Sequence, residues 1–359
     1  MGEQHIERRA RLAARIAAEG ADALLVTRLV NVRYLTGLDS SNAALLVPAQ
    51  GPAVLATDAR YAGGAEAVCP ELELIVERGT AGALTGRAAE TGLTRLGFEP
   101  HDLTFERHAE LAALDGRLTL VPLGQQVEAL RLVKDEGEIA ALAQACAITD
   151  RAFEAVLPLL APGITEREIA VALERHMVDL GAHGVAFDSI VAAGPNGAVP
   201  HHHPGSYRVA AGDLVTMDFG ALYDGYHADM TRTVAVGEPA GWQREIYELV
   251  RRAQQAAVEA AVPGAETRDV DAAARDMIAA AGHGAHFPHG LGHGVGLQIH
   301  EAPLMGYDKT GKLMDRVPIT AEPGVYLAGR GGVRIEDTLV VRASGPEPLT
   351  KTTKELLVL

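Results

Sequence analysis

The sequence is poor in cysteine and contains no long apolar run. Two cysteines among 359 residues cannot build a disulfide framework, and they indicate a cytosolic protein. No apolar run approaches the ~20 residues that a membrane helix needs. The first twenty residues carry charges throughout, which predicts an amphipathic helix rather than a signal peptide. We therefore expect a soluble, cytoplasmic protein.

Positive charge is also scarce. Lys and Arg total 32 against 47 for Asp and Glu, so the formal net charge is −15. This balance argues against nucleic acid or an anionic membrane surface as the main partner. The sequence also lacks a phosphate loop and a dinucleotide-binding fingerprint, so it shows neither of these nucleotide-binding signatures.

The length of the chain predicts two domains. The first third alternates short apolar runs with helical patterns, which predicts an α/β domain with a mixed or parallel sheet. The predicted strands are 23–26, 43–47, 53–56, 94–98 and 118–121, and the predicted helices are 62–68 and 84–91. The composition becomes helical and charged after Gly124. We place the boundary at about Gln125, which defines domains 1–125 and 126–359.

Glycine is concentrated in the stretch HFPHGLGHGVGLQIHE, residues 286–301, where four glycines alternate with other residues. A helix containing them would lose roughly 3–4 kcal/mol relative to alanine, so we predict an extended segment with one bare face. A bare face indicates that another backbone or a ligand comes close. His289, His293 and His300 on such a segment favour a metal or acid–base site over ordinary core or surface histidines.

The second domain contains an internal repeat. The segments that begin at Ala161 and Val262 share a Pro-Gly pair, an arginine, an acid and an apolar face. A long helical pattern precedes each copy, and a Gly/His-rich segment and a pair of strands follow it. The repeat predicts an α+β domain with a pseudo-two-fold axis. It brings four carboxylates toward that axis, and these are Asp218, Asp229, Glu322 and Glu336.

The first strand pair has a strong turn signal at Asp224-Gly225. A turn there places Asp218 opposite Thr231, with Asp229 as the diagonal neighbour on the same face, ~7–8 Å away at the backbone. Inward-facing aspartates in apolar strands, matched by two glutamates in the repeat, would repel one another without a cation.

Together with His293, the four carboxylates form a ligand set that favours two hard or borderline divalent ions, such as Mn²⁺, Co²⁺ or Zn²⁺. A structural zinc site would use cysteine and histidine instead. Two such ions ~3.5–4 Å apart can polarise a carbonyl or a phosphoryl oxygen.

These motifs resemble the metallopeptidase family with the pita-bread fold, which includes aminopeptidase P, prolidase and methionine aminopeptidase. The matching elements are the Asp218 to Asp229 hairpin ending in DMTRT, the segment HGLGHGVGLQIHE, AEPG at Glu322 and RIED at Glu336. In the first domain, YLTGLDSSNAALLVP and VLATDARY resemble the N-terminal domain of aminopeptidase P, prolidase and creatinase. Methionine aminopeptidases lack that domain and creatinase lacks the metal ligands, so both fit poorly. The resemblance implies a pita-bread second domain and a homodimer.

The resemblance also implies hydrolysis of the Xaa-Pro bond in proline-containing peptides, with two divalent metal ions, of which Mn²⁺ is expected. Glu322 would ligate one metal and handle the proton of the attacking water. His201 matches the family's histidine that stabilises the tetrahedral intermediate and the leaving group. The adjacent His202 and His203 are expected to be solvated loop residues.

Three further residues receive roles from the resemblance. His289 and His300 match histidines that shape the proline pocket and hydrogen-bond the substrate. Arg334 would orient Glu336 and nearby carboxylates. Two other classes remain as alternatives: a non-catalytic module on this fold, which would have lost ligands, and a two-metal phosphoesterase, which would need more cationic phosphate clamps.

Leu304 bears on the length of the substrate. Bacterial and archaeal prolidases carry an arginine there for the free proline carboxylate, and leucine cannot pair with a carboxylate. The sequence therefore favours aminopeptidase P, with prolidase as the alternative if another cation substitutes. The candidate cations are Arg60, Lys309 and Lys312.

Overall fold

The computed structural model describes residues 2–359 and divides the chain into two units, Met1–Arg131 and Leu132–Leu359. None of the helices in residues 2–359 combines the length and the apolar character that crossing a membrane requires.

The first unit alternates helices and strands. Its elements are α1 (Gly2–Ala18), β1 (Ala23–Val26), α2 (Leu29–Thr36), β2 (Ala43–Pro48), β3 (Val54–Thr57), α3 (Ala62–Val68), β4 (Glu73–Val76), α4 (Thr80–Glu90), β5 (Arg95–Phe98), α5 (Phe105–Ala112), β6 (Thr119–Pro122) and α6 (Gln126–Arg131). α6 follows the boundary expected at about Gln125, and it packs against α1 and α2 of this unit.

The strands of the first unit form one six-stranded sheet in the order β4-β3-β2-β1-β5-β6. β2 pairs antiparallel with β1 and β3, and the other neighbours pair parallel, which confirms the expected mixed α/β sheet. β4 was not predicted, because its residues are exposed or half-buried at the sheet edge and no continuous apolar run indicates a buried strand there.

The second unit contains the two copies of the repeat. Its elements are α7 (Glu136–Val156), α8 (Glu166–Asp179), β7 (Gly184–Val185), β8 (Ile190–Ala193), β9 (Asp213–Phe219), β10 (Ala221–Tyr223), β11 (Tyr226–His227), β12 (Met230–Val236), α9 (Gly241–Ala260), α10 (Thr267–Ala280), β13 (Gly292–Gly294), β14 (Glu301–Met305), β15 (Val317–Ala321), β16 (Gly324–Leu327), β17 (Gly331–Arg334), β18 (Asp337–Val341) and β19 (Glu347–Pro348). Short 3-10 helices cover Leu157–Leu159, Gly194–Ala198 and Gly284–His286.

Each copy packs a helix pair against a sheet. α7 and α8 share one apolar core with the sheet β12-β9-β8, and α9 and α10 share a second core with the sheet β14-β13-β15-β18-β19. α8 begins at a capping box in which Thr165 and Glu168 satisfy each other's backbone N–H groups. The repeated helix–helix–sheet unit agrees with the predicted internal symmetry.

The first hairpin has the predicted register. Asp224 and Gly225 have φ values of 48° and 82°, as a two-residue hairpin turn requires, and they join β10 to β11. Further along, Thr231 of β12 lies opposite Asp218 of β9, which confirms the predicted pairing. The turn chemistry therefore decides which residues face the same side.

Candidate active site

Two aspartates of the site come from the β9–β12 strand pair. Asp218 is 8% exposed and Asp229, just before β12, is 4% exposed. Their neighbours Met217 and Met230 are fully buried in the apolar core, as the alternation predicts. One carboxylate oxygen, Oδ1 of Asp218, is buried without a hydrogen-bond partner among residues 2–359. That oxygen has a free lone pair for a cation.

The glycine-rich segment admits neighbouring backbone on both sides of His293. A Cβ added to Gly292 would lie 2.4 Å from the carbonyl oxygen of Thr320, and one added to Gly294 would lie 2.1 Å from that of Ala302. Any side chain at these positions would displace β14 or β15. The glycines therefore let His293 reach the carboxylates from a strand inserted between two others.

His293 presents one ring nitrogen to the carboxylates. Its Nδ1 lies 3.0 Å from the carbonyl oxygen of Gly294 and so carries the proton. Its Nε2 lies 3.5 Å from both Asp229 Oδ2 and Glu322 Oε1. Burial lowers the pKa of His293 to about 4, so the imidazole is neutral at pH 7 and its Nε2 lone pair can ligate a metal.

Two glutamates come from the second copy of the repeat. β15 ends immediately before Glu322, which together with Pro323 separates it from β16. Glu336 lies between β17 and β18 and is 1% exposed. The hydroxyl of Thr231 donates to Glu336 Oε2 at 2.6 Å, which ties the second copy to the first.

The charges of these carboxyl groups are coupled. Burial raises the pKa of Glu322 to about 8, with the Asp218 charge adding to the rise and Arg334 opposing it. Burial, followed by the neighbouring carboxylates, raises the pKa values of Asp229 and Glu336 well above their usual range. The cluster cannot be fully ionised without additional positive charge, which divalent cations bound there would supply.

The ligand atoms are close enough to share a cation. Asp229, His293 and Glu336 each offer one, and these atoms all lie within 4.8 Å of one another. With the unpartnered oxygen of Asp218 and the carboxylate of Glu322 alongside, the donor set is oxygen-rich with one imidazole. Such a set fits divalent ions of the hard or borderline class.

Removing metal is expected to make stability fall as pH rises from about 6.5 to about 8, because at lower pH the depressed pKa values of His289 and His293 act in the opposite direction. In this window the folded protein still holds the proton of groups such as Glu322, because burial raises the pKa of Glu322 to about 8 from its ordinary value of 4.5. The unfolded chain has already released that proton. Each such group lowers the free energy of unfolding by at most about 1.4 kcal/mol per pH unit. Urea denaturation of chelated protein at several pH values measures this. A free energy of unfolding that increases across the window would contradict it, and bound metal should abolish the decline.

Arg334 is the buried cation beside the cluster and is 3% exposed. Its Nη2 donates to Asp218 Oδ2 at 2.6 Å, and its Nε donates to the Thr231 hydroxyl at 3.1 Å. The expected contact with Glu336 is therefore indirect, through Thr231. Arg334 contacts Asp218 directly because β17 packs beside β9, although the two strands belong to different sheets.

All of the predicted site residues line one cavity of about 510 Å³. They are His201, Asp218, Asp229, His289, His293, His300, Glu322, Arg334 and Glu336. The cavity wall also includes the apolar side chains of Phe187, Ile190 and Leu304. The combination of an acidic floor and a partly apolar wall suits a small substrate with an apolar part.

The histidines of the cavity differ in their contacts and in their exposure. His289 Nε2 lies 2.8 Å from the Tyr326 hydroxyl, and burial lowers the His289 pKa to about 4. His300 packs edge-on against His293, with 4.4 Å between ring centroids, and burial lowers its pKa. His201 is exposed on the loop that follows the second 3-10 helix.

Three site residues were missed from the sequence. The expectation that His202 is a solvated loop residue is wrong, because its Nε2 bonds to Oε2 of the buried Glu166 at 2.8 Å. His203 is exposed, as expected. After His202 and Glu166, the third of these residues is Tyr326. Its hydroxyl accepts a hydrogen bond from Arg334 Nη1 at 2.9 Å, and burial raises the pKa of Tyr326 to about 12. No local motif marks any of these contacts.

Comparison with known proteins adds three kinds of match. A model of metallopeptidase family M24 matches residues 140–343, and one of the creatinase/prolidase N-terminal domain matches residues 8–133. An Xaa-Pro dipeptidase of Pyrococcus horikoshii is 38% identical over 338 residues, 94% of either chain. The structure of an Xaa-Pro dipeptidase from Bacillus anthracis has a TM-score of 0.96 at 37% identity, covering 99% of this chain and 100% of that one. An X-Pro aminopeptidase from Thermotoga maritima has a TM-score of 0.90 at 33% identity, covering 96% and 100%.

Proposed function

The chain belongs to metallopeptidase family M24, and within that family we propose that it is a prolidase that hydrolyses Xaa-Pro dipeptides. The predicted two-domain fold, a creatinase/prolidase N-terminal domain followed by a pita-bread domain, is confirmed by the matches over both parts of the chain. Family membership also implies a dinuclear divalent-metal centre. The native ion stays a prediction, and we propose Mn²⁺.

One observation carries the proposal. Four carboxylates and a neutral imidazole from both copies of the repeat line the same cavity as five further histidines. The residues that would hold the two ions are Asp218, Asp229, His293, Glu322 and Glu336. Bound there, divalent cations would activate water and polarise the scissile carbonyl.

The protein's own side chains supply the proton transfer and the positioning. The side chain of Glu322 is 18% exposed in the cavity, so its carboxylate can reach a bound water and accept and return its proton. We propose that His201 stabilises the developing negative charge from the cavity wall. His289, neutral and held by Tyr326, and His300 would orient the substrate.

The comparisons support prolidase, the alternative in the sequence analysis, better than aminopeptidase P. Xaa-Pro dipeptidases are prominent among the similar proteins, with the B. anthracis structure at a TM-score of 0.96. Leu304 lines the cavity and is 50% exposed, so it cannot bind a proline carboxylate. Lys309 lines the same cavity with 40% of its side chain exposed, and its nearest acid is the exposed Asp308, at 3.1 Å. We propose that Lys309 swings to the substrate carboxylate.

Replacing Lys309 is therefore expected to discriminate between substrates. Lys309→Gln should raise KM for Gly-Pro about tenfold, since one charge-assisted hydrogen bond contributes roughly 1.5–3 kcal/mol. KM for a longer peptide such as Gly-Pro-Ala should stay the same, because its carboxylate lies further along. Steady-state kinetics of the Mn²⁺-loaded protein on both peptides measures the difference.

Lys312→Gln is the matched control, because Lys312 lies on the same loop and its nearest acid is Glu266, at 3.7 Å. It should leave both KM values unchanged. An unchanged KM for Gly-Pro in Lys309→Gln would remove Lys309 from the proposal. A clear preference of the unsubstituted enzyme for Gly-Pro-Ala would favour aminopeptidase P, the second candidate. The exposed Leu304 and the similarity to the T. maritima structure support that candidate. The cytoplasmic location and the homodimer stay predictions.

A further inference from the structure

The loop that carries His201 is held by a carboxylate outside the metal cluster. That carboxylate belongs to Glu166, in the first turn of α8, and its side chain is 0% exposed. Its Oε1 accepts from the backbone N–H of Ala193 and from Asn196 Nδ2, both at 2.9 Å. Its Oε2 accepts from His202 Nε2 at 2.8 Å and from the backbone N–H of Gly205 at 3.0 Å.

These four donors lie on both sides of His201 in the chain. Ala193 and Asn196 precede it, and His202 and Gly205 follow it. The later part of the segment between β8 and β9, residues 205–209, is also tied to residues 163–167 by backbone hydrogen bonds. The part nearer His201 lacks such pairing, and there the Glu166 side chain supplies the contacts. Four donors satisfy both oxygens of an ionised carboxylate, which makes Glu166 a fixed point for the loop.

His201 has no comparable anchor of its own. Within residues 2–359 its side chain makes no hydrogen bond or ion pair, and it is exposed on the cavity wall. Its backbone neighbour Pro200 accepts a hydrogen bond from Arg334 Nη1 at 3.2 Å, while His202 on the other side bonds to Glu166. The chain on both sides of His201 is thus held by contacts that its two neighbours make.

We propose that Glu166 is a positioning residue for hydrolysis, which acts through His202 and the adjacent loop to aim His201 at the scissile bond. The inference rests on the role of His201 in the proposed function. Catalytic groups must be held close to their productive geometry, and a displacement of about 1 Å costs on the order of a hundredfold in rate. An anchor of this kind affects turnover more than substrate binding.

The test is a double-mutant cycle in the Mn²⁺-loaded enzyme with Gly-Pro as the substrate. Glu166→Gln replaces one accepting carboxylate oxygen by an NH₂ group, which faces hydrogen-bond donors of the loop. The substitution should lower kcat on the order of tenfold, with KM little changed and metal content intact. In the His201→Ala background the same substitution should have no further effect, because the residue that it positions is gone. Glu168→Gln is the matched control: it lies on the same first turn, bonds only to Thr165 and should leave kcat unchanged.

Since Glu166 is buried, Glu166→Gln could fail to fold, and His202→Ala then decides. His202 is 20% exposed, so its removal should leave the melting temperature close to that of the unsubstituted enzyme while kcat falls severalfold. That fall should also vanish in the His201→Ala background. A full additional loss of kcat in that background, for either variant, would overturn the inference alone. A His201→Ala enzyme with unchanged kcat would overturn the role of His201 in the proposed function as well.

Discussion

Asp229→Ala is expected to abolish hydrolysis of Xaa-Pro substrates and to lower the metal content of the protein. Asp229 is 4% exposed, lies 3.5 Å from His293 and shares a ligand cluster with Glu336. Losing that ligand removes stabilisation worth several kcal/mol from the transition state, or about a thousandfold or more in kcat/KM. Activity assays together with metal analysis of the dialysed protein measure both effects.

A surface aspartate of the same unit provides the control for this substitution. Asp179 ends α8, and its side chain is 62% exposed beside Arg175. Asp179→Ala should keep both activity and metal content. Full activity with unchanged metal content in Asp229→Ala would show that the cluster is not the catalytic metal centre.

Arg334→Met is expected to damage both the stability and the activity of the protein. Arg334 is 3% exposed and bonds to Asp218, Thr231 and Tyr326. Removing one partner of a buried charge pair costs about 3–5 kcal/mol in the free energy of unfolding, because the other charge stays buried. Disorder of the carboxylates should lower kcat/KM on the order of tenfold to a hundredfold.

A second arginine of the same hairpin separates this effect from a general one. Arg330 is exposed and stacks on the ring of Trp242, with 4.3 Å to the centroid. Arg330→Met should cost less than about 1 kcal/mol, because a cation–π contact at an exposed site is weak. Equal losses in the two variants, measured by urea unfolding and by Gly-Pro hydrolysis, would contradict the role of Arg334.

Local patterns were sufficient to predict much of the strand geometry of the candidate site. The Asp-Gly turn and strict strand alternation placed Asp218 opposite Thr231, and the structure has that pair. The alternating glycines predicted close backbone approach, and the Thr320 and Ala302 carbonyl oxygens lie where Cβ atoms would be. Turn type and a period of two are properties of neighbouring residues, so the sequence alone contains them.

Contacts across the fold could not be predicted in this way. The bond from Arg334 to Asp218 joins residues 116 positions apart, and that from His202 to Glu166 joins residues 36 apart. Arg334 was expected to orient Glu336, but the relative position of β9 and β17 decides which carboxylate it contacts directly. The same holds for Tyr326 and His289, whose bond depends on how β16 packs beside the glycine-rich segment.

The proposed function is tested most directly by substrate length. Metal-stripped protein reloaded with Mn²⁺ would be assayed on Gly-Pro, Gly-Pro-Ala and Gly-Ala, with bound metal counted in the same sample. A dinuclear prolidase is expected to bind two ions per chain, to release proline from Gly-Pro with the highest kcat/KM and to leave Gly-Ala intact. Protein that binds two ions and hydrolyses none of the three peptides would contradict the proposed function.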